Sequence, residues 1–265
     1  MKENLLNTDS SKVPPPEGFR EAYILHLADN ALILAQRNAE WCGHGPVLEQ
    51  DIAITNISLD LIGQARNFYQ YAAQITGCDC DEDKLAYLRG EREFKNCLLV
   101  ELPKGDWAQT ILRQFFFSAY QYLLYSELIN SKDSQVAAIA EKSLKEVTYH
   151  LRWSSEWVIR LGDGTDESRE RMWNAIEKLW MYTGELFQSA PYELQSVKDG
   201  MGTDLSLLKN KWEEKVKEIF AEANLPYPEK RYQQLGGKEG KHTEHLGYIL
   251  AEMQYMQRVY PNSEW

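Results

Sequence analysis

The stretch PVLEQDIAITNISLDLIGQARNFYQYAAQITG, residues 46–77, decides the fold class. It opens on Pro46, whose fixed φ suits the start of a helix, and closes on Gly77, the residue type that most easily turns left-handed past a helix end. Apolar residues recur between them at three- and four-residue intervals with no interior proline, so the spacing predicts one long helix. Three neighbouring stretches read the same way. FREAYILHLADNALILAQRNAEWCG, 19–43, sets Ile24, Leu27, Ala28, Ala31, Leu34 and Ala35 on one stripe and stops at Gly43. GDWAQTILRQFFFSAYQYLLYSELINS, 105–131, can line one side with Ile111, Phe115, Ala119, Tyr122 and Leu123. Residues from Asp133 to Leu161 make the fourth.

The remaining chain is also helical in pattern. A shorter piece with an acidic start runs from Asp83 to Leu99. LGDGTDES, 161–168, is a turn with Thr165 or Asp166 as the cap, and helices are predicted over 166–189 and 203–224. A Pro/Gly-rich loop, LPYPEKRYQQLGGKEGKH (225–242), leads to a last helix over 243–260 that Pro261 stops. No alternating runs bounded by hairpin turns occur. The expected architecture is all-α: a four-helix bundle over 19–161, with additional C-terminal helices packed around it. Residues 1–18, with Pro14-Pro15-Pro16, read as a flexible tail, and 19–265 as a single domain.

Of the 265 residues, 43% are hydrophobic and 12% aromatic, enough for a sizeable core, and the net charge is −11. That charge is repelled by nucleic acid and by anionic membranes, so neither is expected as a partner. No apolar run approaches the roughly 18 residues of a membrane span. The N-terminus lacks the long apolar segment of a signal peptide. The expected compartment is the cytoplasm. Cys42, Cys78, Cys80 and Cys97 make no disulfide framework and are expected to be free thiols.

A long four-helix bundle raises the question of metal. Bundles that hold two irons use one Glu from each of two helices and Glu-x-x-His from each of the other two, because residues i and i+3 share a helix face. The histidines here are His26, His44, His150, His242 and His245. None falls between His44 and His150, so the second and third long helices offer no imidazole. In KEVTYH, 145–150, the residue three before His150 is Val147. Tyr23 precedes His26 by three, and Trp41 precedes His44. Glu146, four before His150, either forms an i,i+4 pair with it or leaves it to another buried polar partner. Glu40 and Glu127 stand where single-Glu ligands would come from, but without the imidazole motifs they read as cap, rim or interface carboxylates.

Glu239–His242 is the one Glu-x-x-His, and it lies in a glycine-rich loop, the wrong setting for a ligand pair inside a bundle. The cluster His242, Glu244 and His245 departs from the H-E-x-x-H zinc spacing. It straddles Thr243, a natural N-cap, and a polar capping network accounts for it, while Leu246, Ile249, Leu250, Met253 and Met256 form a packing stripe. No nucleophile elbow, phosphate loop or dinucleotide fingerprint is present. No catalytic, cofactor-binding or metal-ligating residue is assigned.

Three long segments resemble one family. LADNALILAQRNAEWCGHGPVLEQDIAITNISLDLIGQARNFYQYAAQITG, KEVTYHLRWSSEWVIRLGDGT and GGKEGKHTEHLGYILAEMQYMQRVYPNSEW are similar to the PaaC-type subunits of phenylacetyl-CoA 1,2-epoxidase, the multicomponent phenylacetate-CoA oxygenase, from about residue 19 to 265. The resemblance implies a ferritin-like fold and a structural place in a complex that adds one oxygen atom of O2 across the ring of phenylacetyl-CoA, in aerobic phenylacetate catabolism. It puts the di-iron centre in a homologous catalytic subunit, and adds a small bridging subunit and a flavin/iron–sulfur reductase as partners. The catalytic subunits carry motifs like DEAGH and KEESFH. The matching segments here are DLIGQ, where Leu61 stands for the ligand Glu and Gln64 for the His, and KEVTYH, where His150 remains and Val147 replaces the Glu. No metal ligand carries over. From related bundles, the first two long helices are expected to face the partner. An independently metal-binding oxidase, a scaffold of an unrelated complex, and self-association of the isolated chain stay open.

Overall fold

A computed structural model of the chain describes residues 18–77, 80–228, 232–261 and 263. The tail expected over 1–18, apart from Gly18, and Cys78 lie outside the described residues. Among these residues there is no strand, and the α-helices are α1 (Phe19–Ala39), α2 (Leu48–Thr76), α3 (Glu82–Tyr87), α4 (Leu98–Glu101), α5 (Trp107–Leu128), α6 (Ser134–Gly162), α7 (Asp166–Leu179), α8 (Pro191–Lys198), α9 (Leu205–Glu222), α10 (Glu244–Met253) and α11 (Tyr255–Val259). Side-chain caps fix several starts. Asp106 accepts from the Gln109 N–H at 2.9 Å and Gln109 reaches back to the Asp106 N–H at 3.3 Å, a reciprocal box. Asp133, Thr165, Asp204 and Thr243 cap α6, α7, α9 and α10. Gly77, with φ of 62°, ends α2 as its sequence requires.

α1 lies along α2 and α5 along α6, and α2 meets α6, which closes the all-α ferritin-like four-helix bundle. The later helices cover it unequally. α4, α8 and α10 lie on α1, while α7 and α9 lie on α5. Seventeen of the 21 residues of α1 are therefore buried, so its apolar character runs all round the helix and not along one stripe only. The expectation that both of the first two long helices face a partner fails for α1, because this chain's own short helices already occupy its outer side. Aromatic rings fix the second layer: Phe116 of α5 stacks near Trp180, Trp212 and Phe220 with centroids 5.8, 5.6 and 6.0 Å away. A second cluster joins Trp41, Trp107, Trp153 and Trp157, with Trp107 edge-on to the others at 5.0–6.2 Å.

The later boundaries differ from the periodicity. The helix expected over 166–189 stops at Leu179 and continues as two 3-10 turns. α8 follows, started by Pro191 at its first position. The last helix breaks at Gln254, whose buried amide leaves the helix surface to donate to the carbonyls of Ala86 and Arg89 at 3.1 and 3.0 Å. Met256 beyond the break is exposed and does not extend the packing stripe. On α5, Tyr122 is exposed too. Cys42 and Cys97 are free, but Cys80 is disulfide-bonded, which corrects the expectation of four free thiols. A cysteine count addresses compartment and leaves pairing open.

Candidate functional site

The bundle centre, where a di-iron pair would sit, is built from α2, α5 and α6. Residues 60, 61 and 64 of α2 face 146, 147 and 150 of α6, because a three-residue step stays on one helix face. Leu61 and Val147 are fully buried. Gln64 uses both ends of its amide: it donates to Glu146 Oε2 at 2.9 Å and accepts from Gln121 Nε2 at 2.9 Å and Tyr125 Oη at 3.3 Å. His150, fully buried, donates from Nε2 to Asp60 Oδ2 at 2.9 Å. Of the two partners open to His150, the structure chooses the cross-helix carboxylate, and Glu146 turns to Gln64 instead. Partial burial raises the Glu146 carboxyl above the usual range; the Gln64 bond opposes this and the Asp60 charge adds to it.

These groups do not make a donor set for two irons. Of the four α2/α6 positions that the resemblance gives to ligands, two are hydrocarbon and a third is a neutral amide, while the one imidazole is held by Asp60 through Nε2 and keeps its Nδ1 buried without a hydrogen-bond partner. Among the described residues, no group of three or more His, Cys, Asp or Glu could hold a metal ion. Neutral amides also join α1 to α5: Asn38 donates to Gln114 at 2.7 Å and Gln114 to Ser118 at 2.8 Å, all buried. Hydrogen-bonded amides tie helices together without the desolvation cost of unpaired carboxylates. Glu40 and Glu127 stay outside this centre. Glu40 takes Arg37 Nη1 at 2.6 Å at the rim, and Glu127 faces Lys211 at 3.5 Å in solvent. His44 is exposed against the Cys42 carbonyl.

Near the C-terminus the histidines hold the fold together. His242 donates from Nδ1 to Glu101 Oε2 at 2.7 Å and from Nε2 to the Phe94 carbonyl at 2.9 Å. Glu101, buried, also accepts from the Thr243 N–H at 2.6 Å and Asn96 Nδ2 at 2.8 Å. His245 contributes its backbone N–H to the Thr243 cap. Glu239 lies apart from His242 and pairs with Lys241 in solvent. Two more buried carboxylates secure the same loop. Glu185 accepts from the N–H groups of Leu98 and Gly236 at 2.6 and 2.8 Å. Glu193 meets Lys238 Nζ at 3.0 Å and His26 Nε2 at 3.4 Å. Gly237 is required there: a Cβ would fall 2.4 Å from the Asn96 carbonyl oxygen.

This clamp titrates from both sides. Burial opposes charge on Glu193, but Lys238 and His26 win and bring its carboxyl down to about 2. A depressed carboxyl stabilises the fold above its unfolded value near 4.5 and loses that contribution as pH falls towards 2. Burial opposes charge on His242 as well, yet Glu101 and the Phe94 carbonyl raise it above 6.5. Its contribution is complete below 6.5 and fades as pH rises through the folded value. Urea midpoints measured from pH 3 to 9 should therefore fall on both limbs. His242→Gln should flatten the alkaline limb and leave the acid limb alone; an unchanged alkaline slope would remove His242 from the account.

Apolar periodicity does not register Asp29, Arg89, Glu101, Glu185, Glu193 or Lys238. One signal was available: His26, Asp29 and Asn30 interrupt an otherwise apolar run over 22–35 of α1, and a buried polar group needs a partner.

Two comparisons assign this all-α bundle to a family. The profile described as phenylacetic acid catabolic protein matches residues 17–265. The C component of the 1,2-phenylacetyl-CoA epoxidase of Escherichia coli (strain K12) is 50% identical over 244 residues, 92% of this chain and 98% of the relative. With the match running from just before α1 through the clamp to the C-terminal end, the chain belongs to the phenylacetic acid catabolic protein family.

Proposed function

We propose that this chain is a non-catalytic, supporting subunit of a phenylacetyl-CoA epoxidase complex, paired with a homologous di-iron subunit and binding no iron itself. The observation that carries the reading is the centre of the bundle, where Leu61, Gln64 and Val147 stand at three of the four α2/α6 ligand positions and are packed or hydrogen-bonded by this chain's own groups. The work left to such a bundle is mechanical. A catalytic bundle that opens to admit a bulky thioester loses packing on one side, and a rigid neighbour of similar shape restores it. Misplacing reacting groups by about 1 Å costs on the order of 100-fold in rate, so this support acts on turnover directly. No described helix is long and apolar enough to cross a membrane; a cytoplasmic setting for the complex is part of the proposal.

The test is reconstitution. The catalytic subunit, reductase and bridging subunit are assayed for phenylacetyl-CoA epoxidation with and without this chain, and the purified chain is analysed for iron. Omission should cost about 100-fold or more, and the chain alone should carry no stoichiometric iron. Full turnover without it would end the supporting role. Near-stoichiometric iron in the isolated chain would favour the rival reading, an oxidase in its own right.

A further inference from the structure

We propose that residues 94–98, the strap that leads into α4, form a pH-operated latch: His26 and His242 hold it on the bundle while each imidazole carries two protons, and it opens locally when they lose one. The strap's N–H groups go to acceptors that need no proton. Lys95 donates to Asp29 Oδ2 at 2.8 Å, Cys97 to Asn30 Oδ1 at 2.8 Å and Leu98 to Glu185 Oε2 at 2.6 Å. Its first two carbonyls are held differently. Phe94 O accepts from His242 Nε2 at 2.9 Å, and the next one, Lys95 O, accepts from His26 Nδ1 at 2.7 Å. Successive carbonyls are thus gripped by two imidazoles from opposite ends of the chain, one on α1 and one just before α10.

Each imidazole turns its other nitrogen to a buried carboxylate. His242 Nδ1 donates to Glu101 Oε2 at 2.7 Å, and His26 Nε2 stands 3.4 Å from Glu193 Oε1. Carbonyl and carboxylate oxygens only accept, and a neutral imidazole has one N–H, so a ring between two such acceptors satisfies both only as the cation. Loss of a proton turns a lone pair towards an oxygen, and both rings are buried too deeply for water to relieve it. The bond to the carboxylate is the stronger of the two, so the carbonyl is released and the strap with it. Around His242 stand Glu101 of α4 and, farther off, Asp29 of α1 with its partner Arg89. Around His26 stand Glu193 of α8 with Lys238, and the Tyr192 ring at 5.7 Å. Asn30 Nδ2 lies 3.3 Å from both nitrogens of His26 and donates to its carbonyl at 2.9 Å. The strap's own ammonium, Lys95, lies 5.6 Å from the centre of the Tyr192 ring; burial lowers its proton affinity against the pull of Asp29. For His242 burial works against the charge, and Glu101 and the Phe94 carbonyl outweigh it. The latch is therefore closed below 6.5 and opens as pH rises through the folded value.

The experiment follows amide hydrogen exchange of the full chain at pH 6 and pH 9, corrected for the intrinsic exchange rate. Protection over 94–98 should fall at least ~10-fold between the two and end at least ~10-fold below that of α5. Nitrogen-15 NMR of labelled histidines should show both rings doubly protonated at pH 6. His26→Gln and His242→Gln should each remove part of the pH dependence, and the double variant all of it, with the strap at its pH 9 protection throughout. His44→Gln, at an exposed site, should leave the profile as it is. If the double variant does not fold, the wild-type profile and the ring protonation decide. Strap amides that exchange at pH 9 only as slowly as α5 would make the opening global and overturn the latch. So would neutral rings at pH 6, or an undiminished pH dependence in the folded double variant, which would pass the transition to another group such as Lys95.

Discussion

Asp29→Ala is expected to lower unfolding stability by about 3–5 kcal/mol, the cost of stranding one member of a buried ion pair. Asp29 is 0% and Arg89 1% exposed. Asp29 accepts from both terminal guanidinium nitrogens of Arg89, from Tyr69 Oη at 2.6 Å and from the Lys95 N–H at 2.8 Å. Arg89 lies 4.3 Å over the Phe94 ring and donates to the carbonyls of Leu85 and Glu93 at 2.5 and 3.1 Å. Burial acts to lower the guanidinium's proton affinity, and the Asp29 charge more than reverses it. With the carboxylate gone, Arg89 keeps its charge in a site that water does not reach. Asp29→Leu/Arg89→Met should lose less than the single change, since it removes both charges. Urea unfolding followed by circular dichroism measures both. A single-variant loss under about 1 kcal/mol, the scale of a surface pair, would mean that the pair is not sealed from solvent.

That network shows what the sequence displays and what it hides. Pro46 and Gly77 bracket α2, and the four long helices lie where their periodicity places them, because each buries an apolar stripe longer than its errors at the ends. Asp106, Thr165 and Thr243 are caps whose chemistry is local. The connections between bundle and outer helices are different. Arg89 finds Asp29 across 60 residues, His242 finds Glu101 across 141, and Lys238 finds Glu193 across 45; no local pattern encodes these partners. α8 was the legible element that periodicity passed over, since Pro191 followed by Glu193 is a helix start. For the site, the positions were legible and the partners were not. Val147 stands out against a Glu-x-x-His template and Leu61 and Gln64 only against the DEAGH-like motif of the family resembled, but which carboxylate holds His150 depends on the approach of α2 to α6.

Restoring the missing ligands should reveal that approach directly. Leu61→Glu alone puts a carboxylate where the native side chain is fully buried, and should cost more than about 3 kcal/mol. The triple change Leu61→Glu/Gln64→His/Val147→Glu adds the second carboxylate and an imidazole, and also removes the Gln64 amide that bridges α5 and α6, so the metal-free variant should be less stable than the native chain. With His150 it presents four donors from two facing helices. Four donors satisfy one tetrahedral zinc, while a bridged pair of irons needs further carboxylates from the other two helices. Ligand binding to the folded state raises stability by mass action. Zinc should therefore lift the triple variant's melting temperature, saturate at about one equivalent, and leave the native chain's melting temperature alone. A folded triple variant indifferent to zinc would show that residues 61 and 64 of α2 do not face 147 and 150 of α6 as a ligand set, and the reading of this bundle as one whose metal positions are filled by its own packing would go with it.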